Sequence, residues 1–360
     1  MRAAIFQGIK QPLLIDEIEI DDPIGREVRV RTAACGVCHS DLHVIEGDLP
    51  MLPPIVLGHE AAGVVEAVGP QVHALKPGDH VIACLTVACG SCDRCLTGKP
   101  HLCYRRGLTQ RGRGEPPRLR YKNSKIEAFT DIGGFAEALL VHESALVKVN
   151  PELPLEKVAL IGCGVVTGVG AVLNTARVEA GSTVAIFGCG AIGLAAVQGA
   201  QLAAAARIIA IDKFEHKLAL ARQLGATDTI DAAAGDPLDA IRALTPAGVD
   251  YAFECIGLKL TAEQAFKSLK PGGIATVVGI LPWNQKVELE SLLLLGERKL
   301  QGCFMGSTRF QVDAPRYLEL YRQGRLKLDN LISRRAPLNE VNAAFEAMTA
   351  GEVVRTVLTF

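Results

Sequence analysis

The chain is poor in aromatic residues and carries almost no net charge. Phe, Tyr and Trp make up 5% of its 360 residues, and 38 Lys and Arg nearly balance 39 Asp and Glu. Without a basic excess, the composition offers no general electrostatic attraction for nucleic acid or an anionic membrane surface, so we expect neither as a partner. With 49% hydrophobic and 21% charged residues, the chain resembles globular proteins rather than disordered ones.

The sequence also lacks an uninterrupted apolar segment of membrane-spanning length. Its most apolar stretch, residues 191–211, contains Gln198, Gln201 and Arg207, which membrane spans tolerate poorly. We therefore predict a buried helix followed by a strand in this stretch. The N-terminal residues lack the apolar core of a signal peptide, so we expect a cytoplasmic location.

Cysteine, in contrast, is abundant, with eleven residues, four of which form a Cys-x2-Cys-x2-Cys-x7-Cys pattern. Thiolates so close in sequence can fill the tetrahedral shell of a structural Zn²⁺. The predicted ligands of this closed zinc site are Cys89, Cys92, Cys95 and Cys103. In a chain of this length we interpret the other cysteines as metal ligands or buried thiols rather than as disulfides.

A second zinc site is predicted from residues that are far apart in sequence. Cys38, His59 and Cys163 provide three ligands, and three protein ligands with an open fourth position are typical of a catalytic zinc. Asp41 is expected to orient His59 through the second ring nitrogen. Glu60, next to His59, is a further candidate ligand or a neighbour of the metal.

A glycine-rich sequence, Gly188-Cys-Gly-Ala-Ile-Gly193, follows the predicted strand Thr183–Phe187 and opens a helix. In that context the glycines allow a tight turn and close approach of a pyrophosphate to the helix N-terminus. Asp212 ends the next strand and is placed to accept hydrogen bonds from the adenosine ribose; its charge would repel a 2′-phosphate, which favours NAD over NADP. The alternative is a glycine-rich turn in some other α/β sheet. The predicted contacts are Gly188, Gly190, Ala191, Ile192, Gly193 and Asp212.

The texture of the sequence changes near residue 165. Residues up to about 150 contain short strands between Gly and Pro turns, which suggests a small barrel or sandwich. Strands and Ala/Leu-rich helices then alternate, which predicts a parallel sheet covered by helices on both faces. The last fifty or so residues resume the first texture. We predict one domain of residues 1–164 and 305–360, and a second of residues 165–304.

These motifs are similar to those of the zinc-containing medium-chain alcohol dehydrogenase family, in particular its dimeric, class III-like branch. The similarity covers essentially the whole chain, from Gly36-Val-Cys-His-Ser-Asp41 and Gly58-His-Glu-Ala-Ala-Gly63 to the ending Val354-Arg-Thr-Val-Leu-Thr-Phe360. The Cys2His ligand set is one already known for alcohol dehydrogenase. The resemblance implies a GroES-like β-barrel catalytic domain, a Rossmann domain, two Zn²⁺ per chain and NAD-linked interconversion of primary alcohols and aldehydes.

The resemblance also implies roles for individual residues. Cys38, His59 and Cys163 would bind the catalytic zinc, Ser40 would hydrogen-bond the substrate oxygen, and His43 would end a proton relay to solvent. His39 stands where many members have an arginine against the pyrophosphate. The other positions implied to lie near the cofactor are Thr167, Lys217 and Arg355.

The segment 104–132 is long, as in the dimeric branch, so we expect a homodimer. Six of its residues between Arg105 and Arg120 are arginines. They form either a solvated surface loop or a basic rim that steers an anionic alcohol. The resemblance places an apolar channel, suited to medium-chain or aromatic alcohols, at Leu49, Leu85, Phe129, Ile280 and Phe304.

Two alternatives stay open at this point. One is a thiol-dependent formaldehyde dehydrogenase acting on an S-hydroxymethyl adduct, although residues 46–49 do not clearly reproduce the acidic anchor of that branch. The other is a non-catalytic protein that binds zinc and a nucleotide. Ser40, His43 and an open metal position argue against it, because a binding module needs neither a proton relay nor a vacant ligand position.

Overall fold

Twenty strands and ten α-helices make up the chain, and the computed structural model describes all of residues 1–360. The strands are β1 (Arg2–Phe6), β2 (Leu14–Glu17), β3 (Glu19–Ile20), β4 (Glu27–Gly36), β5 (Ile55–Val56), β6 (Glu60–Val68), β7 (His80–Ala83), β8 (Leu119–Tyr121), β9 (Ser124–Lys125), β10 (Glu127–Ala128), β11 (Ala138–His142), β12 (Leu146–Lys148), β13 (Thr183–Phe187), β14 (Arg207–Asp212), β15 (Asp228–Asp231), β16 (Val249–Glu254), β17 (Leu269–Val277), β18 (Lys299–Gly302), β19 (Arg334–Pro337) and β20 (Thr356–Thr359). The α-helices are α1 (His39–Glu46), α2 (Asp93–Leu96), α3 (Leu155–Val158), α4 (Gly164–Gly170), α5 (Ala191–Leu202), α6 (Glu215–Gln223), α7 (Pro237–Leu244), α8 (Lys259–Lys267), α9 (Phe310–Arg322) and α10 (Val341–Thr349).

These elements divide into two units. The first unit comprises Met1–Cys163, Arg309–Gly324 and Ile332–Phe360, and the second comprises Gly164–Thr308 and Arg325–Leu331. No single helix has the length and apolar character needed to cross a membrane; the stretches 155–162 and 164–176 reach those limits only when they are taken together.

The first unit is built around a seven-stranded sheet. Its order is β12-β7-β6-β4-β20-β19, with β11 also paired to β4. The central strand β4 is long and alternates buried residues such as Val28 and Val30 with more exposed ones, as expected of a strand with one face on a core. Strand β20 from the end of the chain pairs with β4, so that Val357 lies opposite Gly36. This pairing brings the C-terminal segment to the residues that precede α1.

The second unit contains a six-stranded, entirely parallel sheet of order β15-β14-β13-β16-β17-β18. In chain order this is the 3-2-1-4-5-6 arrangement of dinucleotide-binding sheets. The strands are apolar and buried, as expected where helices cover both faces; Ala185, Ile209 and Ala252 are fully buried. The predicted apolar stretch 191–211 forms helix α5 and most of strand β14, and the glycine-rich turn lies at the carboxyl end of β13.

Residues 325–331 lie in the second unit, although the residues on both sides of them lie in the first. The reason is a pair of hydrogen bonds to α5: the Gln198 side chain donates to the Lys327 carbonyl at 3.2 Å and accepts from its N–H at 2.7 Å. Leu326 and Leu328 are both fully buried beside this contact. A polar residue in an apolar helix was the only hint of it in the sequence.

Candidate active site and metal centres

The predicted catalytic ligands meet in the first unit, although they come from three distant segments. Cys38 immediately precedes α1, His59 immediately precedes β6, and Cys163 follows a short 3-10 turn. One donor atom from each lies within 4.8 Å of the other two, and His59 Nε2 is 3.2 Å from Cys163 Sγ. All three side chains are buried. We call these three residues the buried cluster.

The ring orientation of His59 leaves one nitrogen free for a metal. Its Nδ1 lies 3.3 Å from Asp41 Oδ1, which also accepts the Gly58 N–H at 2.9 Å. A carboxylate only accepts hydrogen bonds, so Nδ1 carries the proton and Nε2 presents its lone pair to the two thiols. This is the role predicted for Asp41. The fixed tautomer and the two sulfur donors fit a Cys2His zinc site with an open fourth position.

The two thiols of the buried cluster differ in acidity. A hydrogen bond from Cys163 and the neighbouring His59 and Arg355 outweigh burial and hold the pKa of Cys38 well below its usual value. The pKa of Cys163 is raised, because its proton is shared with Cys38 and because it is buried. Two thiols this close therefore do not both ionise on their own, and a divalent cation is the natural partner that would allow it.

Glu60 and Arg355 lie against the buried cluster. Arg355 Nε is 3.3 Å from Glu60 Oε2, and its Nη1 donates to the Val37 carbonyl at 2.7 Å. Both side chains are almost inaccessible to solvent. Gly36 is required for this packing, because a Cβ there would lie 2.2 Å from the Glu60 carboxylate. The guanidinium thus balances the negative charge of the Glu60 carboxylate in a buried environment beside the two cysteines.

The four cysteines predicted for the closed site lie together in one lobe of the first unit, which we call the thiol lobe. Three Sγ–Sγ distances, from Cys89 to Cys95, Cys92 to Cys95 and Cys92 to Cys103, are 4.0, 3.4 and 3.9 Å. A tetrahedral Zn²⁺ with Zn–S bonds of about 2.3 Å separates its sulfurs by about 3.8 Å. The lobe therefore fits that ion.

The pKa values of the cysteine thiols in the lobe also favour binding of a cation. N–H and hydroxyl donors of Ser91 lower the pKa of Cys89 to about 6, whereas burial and the neighbouring thiols raise the pKa of Cys95 to about 12. Neighbouring thiols with such opposed acidities do not all ionise without a compensating cation. All eleven cysteines of the chain are free thiols.

The glycine-rich turn of the second unit has the predicted geometry. Gly188 has a positive φ of 95°, and a Cβ on Gly193 would lie 1.7 Å from the Gly188 carbonyl oxygen, so neither position accepts a side chain. A Cβ on Gly190 would instead meet nothing within 4 Å. This open space lies at the N-terminus of α5, which begins with Ala191 and Ile192 and presents free N–H groups suited to a phosphate.

Asp212 lies at the carboxyl end of β14 and is held in place by the glycine-rich turn. Its two carboxylate oxygens accept the Cys189 N–H at 2.7 Å and the Phe214 N–H at 3.0 Å. Burial lowers the pKa of Lys217, and the nearby Asp212 carboxylate opposes that effect. Both predicted residues therefore face the same end of the parallel sheet.

The remaining predicted cofactor and relay residues are distributed between the units. Thr167 is buried in α4 of the second unit and its hydroxyl donates to Met305 Sδ at 3.5 Å. In the first unit, His39 opens α1 and is exposed; its ring centroid is 5.7 Å from that of His43. Ser40 Oγ lies 3.7 Å from Cys38 Sγ, so its hydroxyl is adjacent to the buried cluster.

The arginine-rich segment that follows the thiol lobe is largely bound to its own unit. Arg111 donates to both oxygens of Glu27 at 3.0 and 3.1 Å and also pairs with Asp21, and Arg118 donates to Glu27 at 2.7 Å. Arg106 donates to the Leu85 carbonyl. Three of the six arginines are thus engaged internally, which favours an anchored loop over a continuous basic rim.

Sequence analysis missed one buried acid in the second unit. Glu254 ends β16 and has no solvent exposure; its Oε1 accepts N–H bonds from Ile256 and Gly257 and the hydroxyl of Thr261, at 2.7–2.8 Å. These bonds shape the loop beside Gly188. Burial raises the pKa of Glu254, although those donors oppose it. The sequence did contain a signal for this residue, because an acid at the carboxyl end of an apolar parallel strand needs hydrogen-bond donors close by.

Comparison with known proteins agrees with both units. Residues 25–151 match the alcohol dehydrogenase GroES-like domain, and residues 191–322 match the zinc-binding dehydrogenase family. S-(hydroxymethyl)glutathione dehydrogenase from Haemophilus influenzae is 41% identical over 100% of this chain and 97% of its own length. The chain belongs to the zinc-containing alcohol dehydrogenase family. Alcohol dehydrogenase class-3 from Myxine glutinosa is 40% identical over 99% of this chain and 97% of its own length.

The similarity also holds for the three-dimensional structure. Benzyl alcohol dehydrogenase from Acinetobacter calcoaceticus superposes with a TM-score of 0.93 at 32% identity, covering 100% of this chain and 99% of that one. The predicted family, its class III-like character and the combination of GroES-like and Rossmann folds are thus confirmed. The chain is a zinc-dependent oxidoreductase acting on CH–OH groups, and NAD is the cofactor typical of this family.

Proposed function

We propose that this dehydrogenase interconverts primary alcohols and aldehydes, with medium-chain or aromatic groups, using NAD. The observation that carries the proposal is the buried cluster, in which two thiols and a His59 of fixed tautomer supply three donors, one fewer than a tetrahedral zinc binds. Zn²⁺ held by Cys38, His59 and Cys163 would supply a Lewis acid that lowers the pKa of the alcohol, and NAD would accept the hydride.

Residues around the buried cluster would prepare the substrate. Ser40 would hydrogen-bond the alcohol oxygen; the proximity of its hydroxyl to Cys38 supports this role. His43 would take the proton at the outer end of the relay. Arg355 would hold Glu60 and balance the charge of the thiolates, which adds a positioning role to the predicted one near the cofactor. Glu60 is kept as a candidate transient ligand.

We assign dinucleotide binding to the second domain, residues 165–304, and the catalytic residues to residues 1–164 and 305–360. Gly188, Gly190, Ala191, Ile192 and Gly193 would bind the pyrophosphate, because the turn leaves open space at the start of α5. The further proposed cofactor contacts are His39, Thr167, Asp212, Lys217 and Arg355.

The choice of NAD over NADP is tested at Asp212. We expect Asp212→Asn to raise the KM for NAD and to narrow the preference for NAD over NADP, because it removes the negative charge that would repel a 2′-phosphate. Asp231→Asn is the matched control, since Asp231 lies opposite Asp212 at the end of the neighbouring strand β15. An unchanged ratio of NAD to NADP efficiency in Asp212→Asn would contradict the assignment.

The substrate channel is proposed along the predicted apolar residues. Phe129 supports this, because its ring packs edge-on against His59 with centroids 5.6 Å apart, next to the metal ligands. Leu85 is buried as well. Within the first unit, the proposed channel residues are Leu49, Leu85 and Phe129.

The second candidate substrate is an S-hydroxymethyl thiol adduct, and the name of the Haemophilus influenzae relative supports it. The local structure of this chain is less favourable. Asp48, within residues 46–49, is already paired with His43 at 3.1 Å, and Arg111 and Arg118 of the arginine-rich segment are bound to Glu27. Benzyl alcohol oxidation without thiol would support the first proposal; turnover only of formaldehyde plus glutathione or mycothiol would support the second.

A homodimer is proposed from the edge of the parallel sheet. Strand β18 has a free edge, and the preceding turn exposes Leu292, Leu294 and Leu295, with 81% of Leu295 accessible. Exposed apolar residues beside an open strand edge are typical of association surfaces. Leu295→Glu should lower the mass measured by light scattering to that of one chain, whereas Leu52→Glu, at another exposed leucine, should not. A cytoplasmic location is proposed from the eleven free thiols.

A further inference from the structure

Helix α1 ends in a turn that folds a carboxylate back onto the proposed relay histidine. The helix stops at Glu46 because Gly47 adopts φ 87°, and the Leu49 N–H donates to the His43 carbonyl at 2.9 Å. Asp48 is carried back by one turn, and its Oδ2 comes within 3.1 Å of His43 Nδ1. The side chain of His43 is 13% exposed and that of Asp48 is 37% exposed.

This contact decides which ring nitrogen of His43 carries the proton. An ionised carboxylate has only acceptor oxygens, so Nδ1 must be the donor. Nε2 is then the nitrogen that can accept a proton from the relay. A histidine without such a partner would divide between two tautomers and several ring orientations, and only some of those could accept the relay proton.

Asp48 lies just beyond the C-terminal end of α1. His43 is in the last turn of that helix, and the Asp48 carboxylate lies beside its ring. A carboxylate just beyond a helix C-terminus is by itself unfavourable. The contact with His43 offsets that cost.

We propose that Asp48 is a positioning residue of the alcohol dehydrogenase reaction, which holds His43 with Nε2 free to accept the relay proton. This inference rests on the proposed relay role of His43. Asp48 need not touch substrate or cofactor, and it does not take up the proton permanently. It acts through the ring, as outer carboxylates act on catalytic and metal-bound histidines.

The test compares Asp48→Ala, Asp48→Asn, His43→Gln and the double variant His43→Gln/Asp48→Ala in the zinc-loaded enzyme. Hydride transfer is followed as NADH formation in a single turnover, because product release often limits kcat. We expect Asp48→Ala to slow this step about tenfold, the lower end of what outer partners contribute. Asp48→Asn should lose less, since its amide oxygen still accepts from Nδ1. Glu46→Ala, an exposed acid on the same helix, is the control.

Two readouts separate positioning from a merely structural role. Asp48→Ala should cause no further loss in the His43→Gln background, and added imidazole should restore much of the rate of His43→Gln. Zinc content and Tm should match the unmodified enzyme in both single variants. If the losses of His43→Gln and Asp48→Ala multiply, or if Asp48→Ala is as fast as Glu46→Ala, the inference is wrong while the relay stands. If His43→Gln itself is unimpaired, the proposed relay fails and the inference falls with it.

Discussion

The thiol lobe and the buried cluster differ in how their ligands are assembled. The lobe takes four cysteines from a stretch of fifteen residues, and two of them, Cys89 and Cys95, are partly exposed. The buried cluster takes its three donors from separate segments, with Cys163 lying 104 residues after His59, and all of them are buried. A closed set of four thiols can stabilise a local fold, whereas a buried set of three, one of them an imidazole, leaves a position for chemistry.

The neighbours of the two sites differ in the same sense. The donors to the lobe sulfurs are local backbone and side-chain groups such as Ser91. The buried cluster is surrounded by Asp41, Glu60 and Arg355, which set a tautomer and balance charge. Local bonds are sufficient for a structural metal, while a catalytic one needs neighbours that tune its ligands.

Removing one thiol from the buried cluster should have the largest effect. We expect Cys163→Ser to lower kcat/KM by about a thousandfold or more, because Lewis-acid stabilisation is worth several kcal/mol and about 1.4 kcal/mol corresponds to tenfold. Zinc content, measured by atomic emission, should fall by about one ion per chain. If the variant had one zinc fewer but full activity, the proposed difference between a catalytic metal in the buried cluster and a structural metal in the thiol lobe would be wrong.

Cys95→Ser in the thiol lobe is the matched comparison, since it also removes one thiol ligand. We expect a loss of several kcal/mol of unfolding free energy, because metal binding in such sites is coupled to folding. Chemical denaturation and limited proteolysis within the lobe would measure it. Molecules that remain folded should keep most of their kcat; a loss of kcat as severe as in Cys163→Ser at unchanged stability would show that the lobe has a catalytic role.

Arg111→Gln should destabilise the segment that follows the lobe by about 3 kcal/mol, because it leaves Glu27 buried without its main partner. Burial raises the pKa of Glu27, but Arg111 and Arg118 outweigh it and hold the pKa below its usual range. This stabilisation is therefore present above the unfolded-state pKa and is lost as the pH falls through the folded-state value.

Acid denaturation of Arg111→Gln should consequently begin at a higher pH than in the unmodified enzyme. Arg113→Gln, which changes an exposed arginine of the same segment, serves as the control and should leave the acid midpoint unchanged. Equal acid midpoints for Arg111→Gln and the unmodified enzyme would mean that the Glu27 pair contributes little to stability.

Asp41→Asn should have a smaller effect, a loss of metal affinity that is confined to the buried cluster. Outer partners of metal-bound histidines are typically worth 10- to 100-fold in metal affinity. We expect competition with a chelator to remove one zinc per chain at a lower chelator concentration than in the unmodified enzyme. The zinc of the thiol lobe should titrate as before, and a shift in both ions would point to global destabilisation instead.

The smallest expected effect concerns salt. Because Arg106, Arg111 and Arg118 are bound internally, we expect added salt to change kcat/KM for carboxylate-bearing alcohols by less than about twofold relative to neutral alcohols. A steep decrease for the anionic substrates alone would support a basic rim formed by the remaining arginines.

Periodicity and spacing located the main elements of the second unit well. Strand Thr183–Phe187 was predicted with its observed bounds, because an apolar run between a turn and a glycine-rich loop has few alternatives. Strand β17 begins at Leu269 and ends at Val277. Leu269, at the start of this strand, pairs with Val249, although Gly272 and Gly273 separate it from the apolar run that follows. No local sequence pattern predicts this pairing.

By itself, the sequence predicted the four cysteines of the thiol lobe and the glycine-rich turn, because these depend on residue type and short spacing; for Cys38, His59 and Cys163, which are far apart, it predicted candidates through the family resemblance. Only the tertiary structure decided which side chains surround them. The Arg355 contact with Glu60, the return of Asp48 to His43 and the capture of the arginine-rich segment by Glu27 all join residues whose proximity depends on strand pairing or chain reversal. Such contacts are selected by burial and charge balance in the folded chain, and no motif records them.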